Sequence, residues 1–590
     1  MKLPNLDESK LVVFDTETTG VDWKKDKVIG YVLCWGPSNK DVAYYPVRHE
    51  GGGNVDVDQV ESWLSKLFKR PDLRVINHSI KFDLHMAANH GIKIMGPVEC
   101  TQVNAALIDE NVGYFNLDAC AKRLDIPQKK GNELYKWLAS TLGGGPDRKS
   151  QMGNLFKVAG NHPLVMEYAM GDGTTTWHLR NRQVVDIEAQ NLNLVWGVEC
   201  RVTKTLFNME RVGIRIDEGE LVMLRKKLEK MGHEALKVLP KDLNVRSSSQ
   251  IRELYKREGI TAFKTTDKGN PSFTEKWLST NELGQKIVLV RKITNIINTF
   301  IDPMLEIHIY KGRVHTNFNQ LKQDEYGTVT GRLSSSDPNL QQIPKRDKKL
   351  APLFRRVFLP EKGHKWSSND YSQQEYRIFA EYLGSKALMN GYLANPPIDM
   401  HTNIAKMLNV ERDPTAKRMN FGLINGMGAP SLAEFLNISL IEAKRYWEMY
   451  DRMVPEAKKF LKSAEYWARQ RGWVRTKLFR RRRFPDKRFA HKAGNNIVQG
   501  TAADMTKLKM VEIDEFFRET LGAGSRLLLQ VHDELSWSVA PGEEHLDEKS
   551  IKMMQSFGEK DLITMILPMP VDHNLGRNWS EATFPDWKEE

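Results

Sequence analysis

Leu527-Leu-Leu-Gln-Val-His-Asp-Glu-Leu-Ser-Trp-Ser-Val539 contains two β-like runs flanking His532-Asp533, so it predicts a hairpin with a carboxylate at its tip. Tight hairpins favour Asn-Gly, whose residues tolerate positive φ. His-Asp lacks that chemistry, which points to a use for its side chains, although a His-Asp turn alone is more often without function. Upstream, the short extended run Lys365–Asn369 leads into Asp370-Tyr-Ser-Gln-Gln-Glu-Tyr-Arg377, and Ile378, Phe379 and Tyr382 give the next segment a helical apolar face. Asp370 then falls at a strand-to-helix corner where a carboxylate can meet a metal. The competing reading is an N-cap Asp, which such corners favour. Between these stretches lies Asp413-Pro-Thr-Ala-Lys-Arg-Met-Asn-Phe-Gly-Leu-Ile-Asn-Gly426, which opens with an N-cap and N1 pair. Lys417, Phe421 and Asn425 share one face of its helix. A cation one turn from an aromatic suits a nucleoside triphosphate, with charge for the phosphates and an apolar face for sugar and base. A surface Lys beside a core Phe would look the same.

The remainder of the chain sets the limits. Its 590 residues predict more than one domain, and 40% hydrophobic residues exclude a disordered chain. The 87 basic and 75 acidic residues give a net charge of +12, which fits an anionic partner such as nucleic acid. Cys34, Cys100, Cys120 and Cys200 are too few and too scattered for a disulfide framework, and with no C-x-x-C pair a structural zinc site is not expected. The N-terminus lacks the apolar run of a signal peptide, and no stretch approaches the 18 apolar residues of a membrane span. A cytoplasmic protein is expected.

Residues 1–190 alternate short apolar runs with helical patterns. Strands are expected at Lys10–Phe14, Val28–Trp35, Val42–Val47 and Arg74–Ile76. Helices are expected at Val57–Phe68, with Val57, Val60, Trp63, Leu64 and Leu67 on one face, and near Phe82–Asn89. This is a mixed α/β domain, with a Gly-rich loop tip at Gly143–Gly145. Asp15-Thr16-Glu17 follows the first strand, and alternation puts both carboxylates on one side. Two such charges about 4 Å apart repel by roughly 4 kcal/mol at an effective dielectric near 20. Divalent cations relieve that repulsion and can activate water against a phosphodiester. Residues 191–310 read as mostly helical and 311–590 as mixed. Nothing Pro/Gly-rich separates the halves, so they are expected to pack together.

The motifs taken together are more specific than any one. Asp370–Arg377, Asp413–Gly426 and Leu527–Val539 resemble motifs A, B and C of the family A DNA polymerases, the group of bacterial DNA polymerase I and several bacteriophage replicases. Met209–Asp217, Gly312–Thr316, Thr330–Ser335 with Asp337–Gln341, and Gln499–Asp504 resemble further stretches of that domain. In the first part, Asp15-Thr-Glu-Thr-Thr-Gly20, Lys81-Phe82-Asp83 and Tyr168-Ala-Met-Gly-Asp172 resemble, in order, the three motifs of the DEDD 3′→5′ exonucleases.

The resemblance implies an α/β RNase H-like exonuclease domain over 1–190. An α+β right-hand polymerase domain would follow over 191–590, with thumb near 199–310, palm at 311–385 and 490–590, and fingers near 386–489. In the exonuclease, Asp15, Glu17, Asp83 and Asp172 would hold two metals and Tyr168 would orient the attacking water. In the polymerase, Asp370 and Asp533, with Tyr371, would hold two Mg²⁺ ions (Mn²⁺ can substitute), and Glu534 would be an accessory carboxylate. Lys417, His401, Arg412, Gln373, Phe421 and Asn425 would contact the dNTP. Glu375 would exclude a ribose 2′-OH, and Phe421, where some members carry Tyr, implies discrimination against dideoxynucleotides. Arg332 and His532 would hold the primer terminus, and Asn339, Gln341, Asn495 and Gln499 would read the minor groove, where correct pairs present similar acceptors. The run Arg480, Arg481, Arg482 and Arg483 resembles a loop near the DNA and is expected to contact its backbone, although such runs are usually solvated faces.

Four positions depart from the family pattern. Ser79 stands where Asn is usual, with Asn77 two residues earlier. Asp413 stands where Arg is usual, beside Arg412. Asn425 replaces a Tyr, and His491 replaces an Arg beside Lys492. No 5′-nuclease domain and no thioredoxin-type clamp are expected, and the layout looks most like a bacteriophage enzyme acting as a monomer in the host cytoplasm. Its partners would be primer–template DNA and dNTPs, with helicase, primase or single-strand-binding protein as further candidates. The rival readings are an exonuclease on a degenerate polymerase scaffold, a non-catalytic DNA-binding protein, and an RNA polymerase of related palm architecture. Asp370, Lys417 and Asp533 argue against the first, two metal-type carboxylate sites against the second, and Glu375 with the exonuclease motifs against the third.

Overall fold

The computed structural model describes residues 3–127, 131–260, 272–320, 328–408, 410–412, 416–424, 427–436 and 438–589. Among them, no helix is long and apolar enough to cross a membrane.

The N-terminal sheet has five strands. They are β1 (Leu11–Thr18), β2 (Val28–Cys34), β3 (Val42–Pro46), β4 (Arg74–Asn77) and β5 (Val98–Cys100), in the spatial order β3-β2-β1-β4-β5. β1 pairs antiparallel with β2 and parallel with β4. Val12, Val13 and Phe14 are wholly buried, which holds the centre of β1. β1 runs past the predicted end, so Asp15 and Glu17 lie within it and not after it. The β1–β2 ladder continues to Thr18 because Asp15 to Thr18 find partners from Val32 to Val28. Helix α1 (Val57–Leu67) is capped by the Asp56 side chain and buries Val60, Leu64 and Leu67. Helix α2 (Lys81–Asn89) follows β4, and α3 (Pro163–Ala189) starts with Pro at its first turn under a His162 cap. Glycines 143 and 144 take φ of 83° and 89° at the expected loop tip.

Helix α4 (Asn193–Val212) joins this domain to the rest. The second sheet has four strands: β6 (Lys365–Tyr371), β7 (Arg526–Val531), β8 (Glu534–Val539) and β9 (Val571–Gly576), in the order β7-β8-β6-β9. Trp366, Trp537 and Trp579 are fully buried, with Trp366 stacked on Trp579 at 5.7 Å between centroids. Helix α5 (Gln374–Leu383) follows β6, α6 (Met400–Leu408) and α7 (Lys417–Ile424) lie beyond it, and α8 (Ala493–Glu519) is mostly buried behind the sheet.

A charge network ties α4 to this second body. Glu199 is 1% exposed and accepts from Lys507 Nζ at 2.6 Å, from Gln320 Nε2 at 2.6 Å and from Arg480. Arg480 also donates to Asp504 Oδ1 at 2.7 Å, and Thr476 Oγ1 donates to Asp504 Oδ2 at 2.6 Å. Burial opposes ionisation of Glu199, but Lys507 and Arg480 overcome it and pull its carboxyl down to about 2. Glu199→Ala strands Arg480 and Lys507 without it. The expected cost is about 3–5 kcal/mol, read as a lower urea midpoint by circular dichroism; an unchanged midpoint would show that the network contributes nothing.

Candidate active sites

Two separate carboxylate groups arise from these elements. In the first, alternation along β1 puts Asp15 and Glu17 on one side, and the turn of α3 adds Asp172. Ligand-type oxygens of Asp15, Glu17 and Asp172 lie within 4.8 Å of one another, a spacing that fits a divalent cation. Tyr168 lies one turn before Asp172 on α3, 9% exposed, and Tyr135 Oη donates to its hydroxyl at 3.1 Å. Burial, helped by Asp172, pushes the Tyr168 hydroxyl far above its ordinary value, so it stays protonated.

Asp83 stands beside this group. It is 3% exposed on α2 and lies outside that oxygen group. Its Oδ1 accepts from Thr16 N at 3.0 Å and Thr16 Oγ1 at 2.7 Å, and its Oδ2 accepts from Asn77 Nδ2 at 2.7 Å. Asn77 Nδ2 also donates to Asp15 Oδ1 at 2.7 Å, so one amide bridges the two carboxylates. Burial and then Asp15 raise the Asp83 carboxyl well above its usual range. Ser79, at φ 66°, donates to Gln102 Oε1. Asn77 at the end of β4, and not Ser79, therefore meets the carboxylates.

The second group sits on the four-stranded sheet. Asp370 is inside β6 and not a helix cap; Gln373, at φ 56°, takes the N-cap position of α5 without a side-chain cap. The strand register places Asp370 opposite Glu534 on β8 and opposite Asp572 on β9. Directly paired residues project to one face, so three carboxylates stand abreast. The β7–β8 hairpin tip brings Asp533 alongside, where Tyr371 N donates to Asp533 O at 3.3 Å. His532 adopts φ 58°, in the left-handed region, at this turn. Asp370 Oδ1 is buried with no hydrogen-bond partner among the described residues. Burial, and then Asp370, push the Asp533 carboxyl up to about 7. A buried bare oxygen in an acidic row is the donor chemistry that divalent cations take.

These two sites lie in a chain whose residues 220–581 match the model for DNA polymerase family A and whose residues 3–182 match the model for 3′-5′ exonuclease. The chain belongs to DNA polymerase family A. It is a DNA-directed DNA polymerase that carries a 3′→5′ exonuclease domain. It is 34% identical to the DNA polymerase DpoZ of Acinetobacter phage SH-Ab 15497 over 99% of both chains. It is 29% identical to DNA polymerase I of Chloroflexus aurantiacus, covering 97% of this chain and 61% of that one. Its fold is similar to the Pol1 polymerase domain of M. smegmatis, solved with DNA primer-template and dNTP (TM-score 0.80, 24% identity, 98% and 97% of the two chains).

Other residues of the polymerase domain are arranged less simply than the motifs implied. Glu534 is 1% exposed and accepts through Oε1 from Ser368, Ser536 and Trp579, so it is an internal anchor and not an open accessory carboxylate. The Tyr371 ring points away, donating to Met554 O at 2.8 Å, which leaves only its backbone at the site. Arg332 forms an ion pair with Glu375. Gln373 Nε2 donates to Asp399 Oδ1, and Tyr392 donates to Gln373 Oε1. Arg412 Nε donates to Asp399 Oδ2 at 2.7 Å. His401 is 3% exposed with Nδ1 2.7 Å from Asn420 Nδ2, so it is packed between α6 and α7 and not held on an open face. Lys417 stands exposed at the first residue of α7. Asn425, Asp413 and the Phe421 side chain lie outside the described residues.

Asn339 Oδ1 accepts from Ser335, and Gln341 Nε2 donates to Gln530 Oε1. Asn495 and Gln499 lie one turn apart on α8, and Asn495 Oδ1 is buried without a hydrogen-bond partner among the described residues. His532 and His491 are exposed. The arginine run corrects the sequence reading. Arg480 is buried in the Glu199 network, and Arg482 and Arg483 pair with Glu110 of the N-terminal domain. Arg481 lies over the Trp473 ring. The run fastens the two domains together, because internal carboxylates reach it. Glu199 and Glu110 carry no local sequence signal for this pairing. Asp572 and Lys345, which touches Asp370, were also missed; each becomes visible only when distant segments meet.

Proposed function

We propose that the chain extends a primer 3′-OH on a DNA template at Asp370 and Asp533, and removes nucleotides from the 3′ end at Asp15, Glu17 and Asp172, each with two divalent cations. The residues fit Mg²⁺, with Mn²⁺ as a substitute: hard carboxylate oxygens converge at Asp15, Glu17 and Asp172, and strand register sets Asp370 beside Glu534 with Asp533 at the adjoining hairpin tip. Cations held there supply Lewis-acid stabilisation of the attacking and leaving oxygens and favour ionisation of the attacking hydroxyl or water. Asp370 presents Oδ1 and the hairpin presents Asp533. Lys417 offers its charge to the triphosphate from the start of α7. Arg332 turns from Glu375 to the primer terminus, and Glu375 occupies the space a ribose 2′-OH would need. In the exonuclease, Tyr168, which keeps its proton, would orient the attacking water through its hydroxyl, and Asn77 keeps Asp15 in register with Asp83.

The observation that carries this reading is the buried, unpartnered Oδ1 of Asp370 in an acidic row beside the hairpin tip. A labelled primer–template with Mg²⁺ tests it. Extension is expected with dNTPs and shortening without them, and EDTA is expected to stop both. No extension under any salt would overturn the polymerase assignment in favour of a nuclease on an inactive scaffold.

A further inference from the structure

Three carboxylates abreast on one sheet face repel one another. Lys345, which no motif singled out, pairs with two of them. Its Nζ lies 2.6 Å from Asp370 Oδ2 and 3.1 Å from Glu534 Oε2. The backbone that delivers it is fixed on both sides. Ile343 is 4% exposed, and Arg355 Nε donates to Pro344 O at 3.1 Å. Two residues beyond Lys345, Asp347 Oδ1 accepts from Lys349 N and Leu350 N while its Oδ2 accepts from Lys292 Nζ. Glu534 is equally fixed, since Ser368, Ser536 and Trp579 all bond its Oε1 and leave Oε2 to Lys345. The ammonium therefore rests on a rigid buried anchor and grips Asp370 by one oxygen. The other oxygen, Oδ1, is left without a partner. Yet the Lys345 side chain is 44% exposed, so it can swing to solvent without disturbing the core. Asp572, directly opposite Asp370 on β9, adds a further negative charge to the row.

We propose that Lys345 is a built-in cation of the polymerase centre, a positioning residue that holds Asp370 by Oδ2 and competes there with a divalent cation. The proposal rests on Asp370 being a metal ligand. While the site is empty, Lys345 offsets the acidic row and fixes the Asp370 rotamer. When cations arrive, it yields Oδ2 and remains on Glu534. Removing its charge leaves the row more negative and both Asp370 oxygens open, so cation binding tightens, whereas a merely structural lysine would leave that binding unchanged or weaken it.

The test is a Mn²⁺ titration of the DNA-free full chain, reading free Mn²⁺ by its electron paramagnetic resonance signal. An Asp15→Ala background lowers the exonuclease contribution, and the curve lost on adding Asp370→Ala defines the polymerase site. Lys345→Met is expected to lower the Mn²⁺ midpoint of that site by about tenfold, the order expected for removing one nearby, partly solvated charge. Lys345→Arg, which keeps the charge, is expected to stay within about threefold of the parent. Primer–template binding in EDTA reports that each variant is folded, and Lys345→Gln replaces Lys345→Met if the latter fails that check. An unchanged or raised midpoint in the charge-removed variant overturns the proposal. A different failure, in which Asp370→Ala leaves Mn²⁺ binding intact, would instead remove Asp370 from the metal site.

Discussion

Asp370→Asn is expected to reduce primer extension by at least about a thousandfold, a loss of roughly 4 kcal/mol of transition-state stabilisation. Shortening of the same primer without dNTPs should stay within about twofold of wild type. The first half follows from charge and position. Asn keeps the shape of Asp370 but removes the charge at a buried oxygen that has no other partner. Glu534 cannot substitute, because its oxygens are committed to Ser368, Ser536, Trp579 and Lys345. The second half follows from the separate elements: Asp370 is on β6, and the exonuclease carboxylates are on β1 and α3. Single-turnover rates on a labelled primer measure both. Extension that survives Asp370→Asn at a tenth of the wild-type rate would show that Asp370 is not a metal-holding group of the polymerase.

Asp15→Ala is expected to reduce shortening by at least about a thousandfold while extension holds within about twofold. Asp15 contributes to the group of oxygens within 4.8 Å that it forms with Glu17 and Asp172. Its loss also removes one end of the Asn77 bridge, leaving the amide only Asp83 as a carboxylate partner. Structural damage should be slight, because Asp15 lies on a strand whose neighbours Val12 to Phe14 are held by wholly buried side chains. The readout is primer length against time without dNTPs. Undiminished shortening would move the exonuclease chemistry away from β1. Loss of extension together with shortening would mean instead that the substitution disturbs the whole chain.

Much of the site was legible because its signals are local. Alternation along β1 placed Asp15 with Glu17, and one turn of helix placed Tyr168 with Asp172. A poor turn sequence between two β-rich runs marked His532-Asp533, and the structure puts His532 in the left-handed region there. Each of these depends on a handful of adjacent residues and on fixed backbone periods. Composition limited the partner to something anionic but could not place the charge. The dense Arg480–Arg483 run looked like a DNA contact because nothing nearby in sequence neutralises it.

What tertiary structure decided is pairing at long range. Glu199 and Glu110 claim three of the four arginines, turning that run into a fastening between domains. Register between β6, β8 and β9 sets Asp370 between Glu534 and Asp572, and a segment outside the sheet brings Lys345 to Asp370 and Glu534. A slip of one residue in either ladder would send Asp370 to face different neighbours, and no local pattern fixes that choice. The sequence by itself nominated the side chains proposed to carry the chemistry, because residue type, local period and the order of motifs that resemble known families suffice for a nomination. The packed sheet and helices decided which of them remain open to a ligand, because an exposed or buried fate depends on partners that only folding brings within 3 Å.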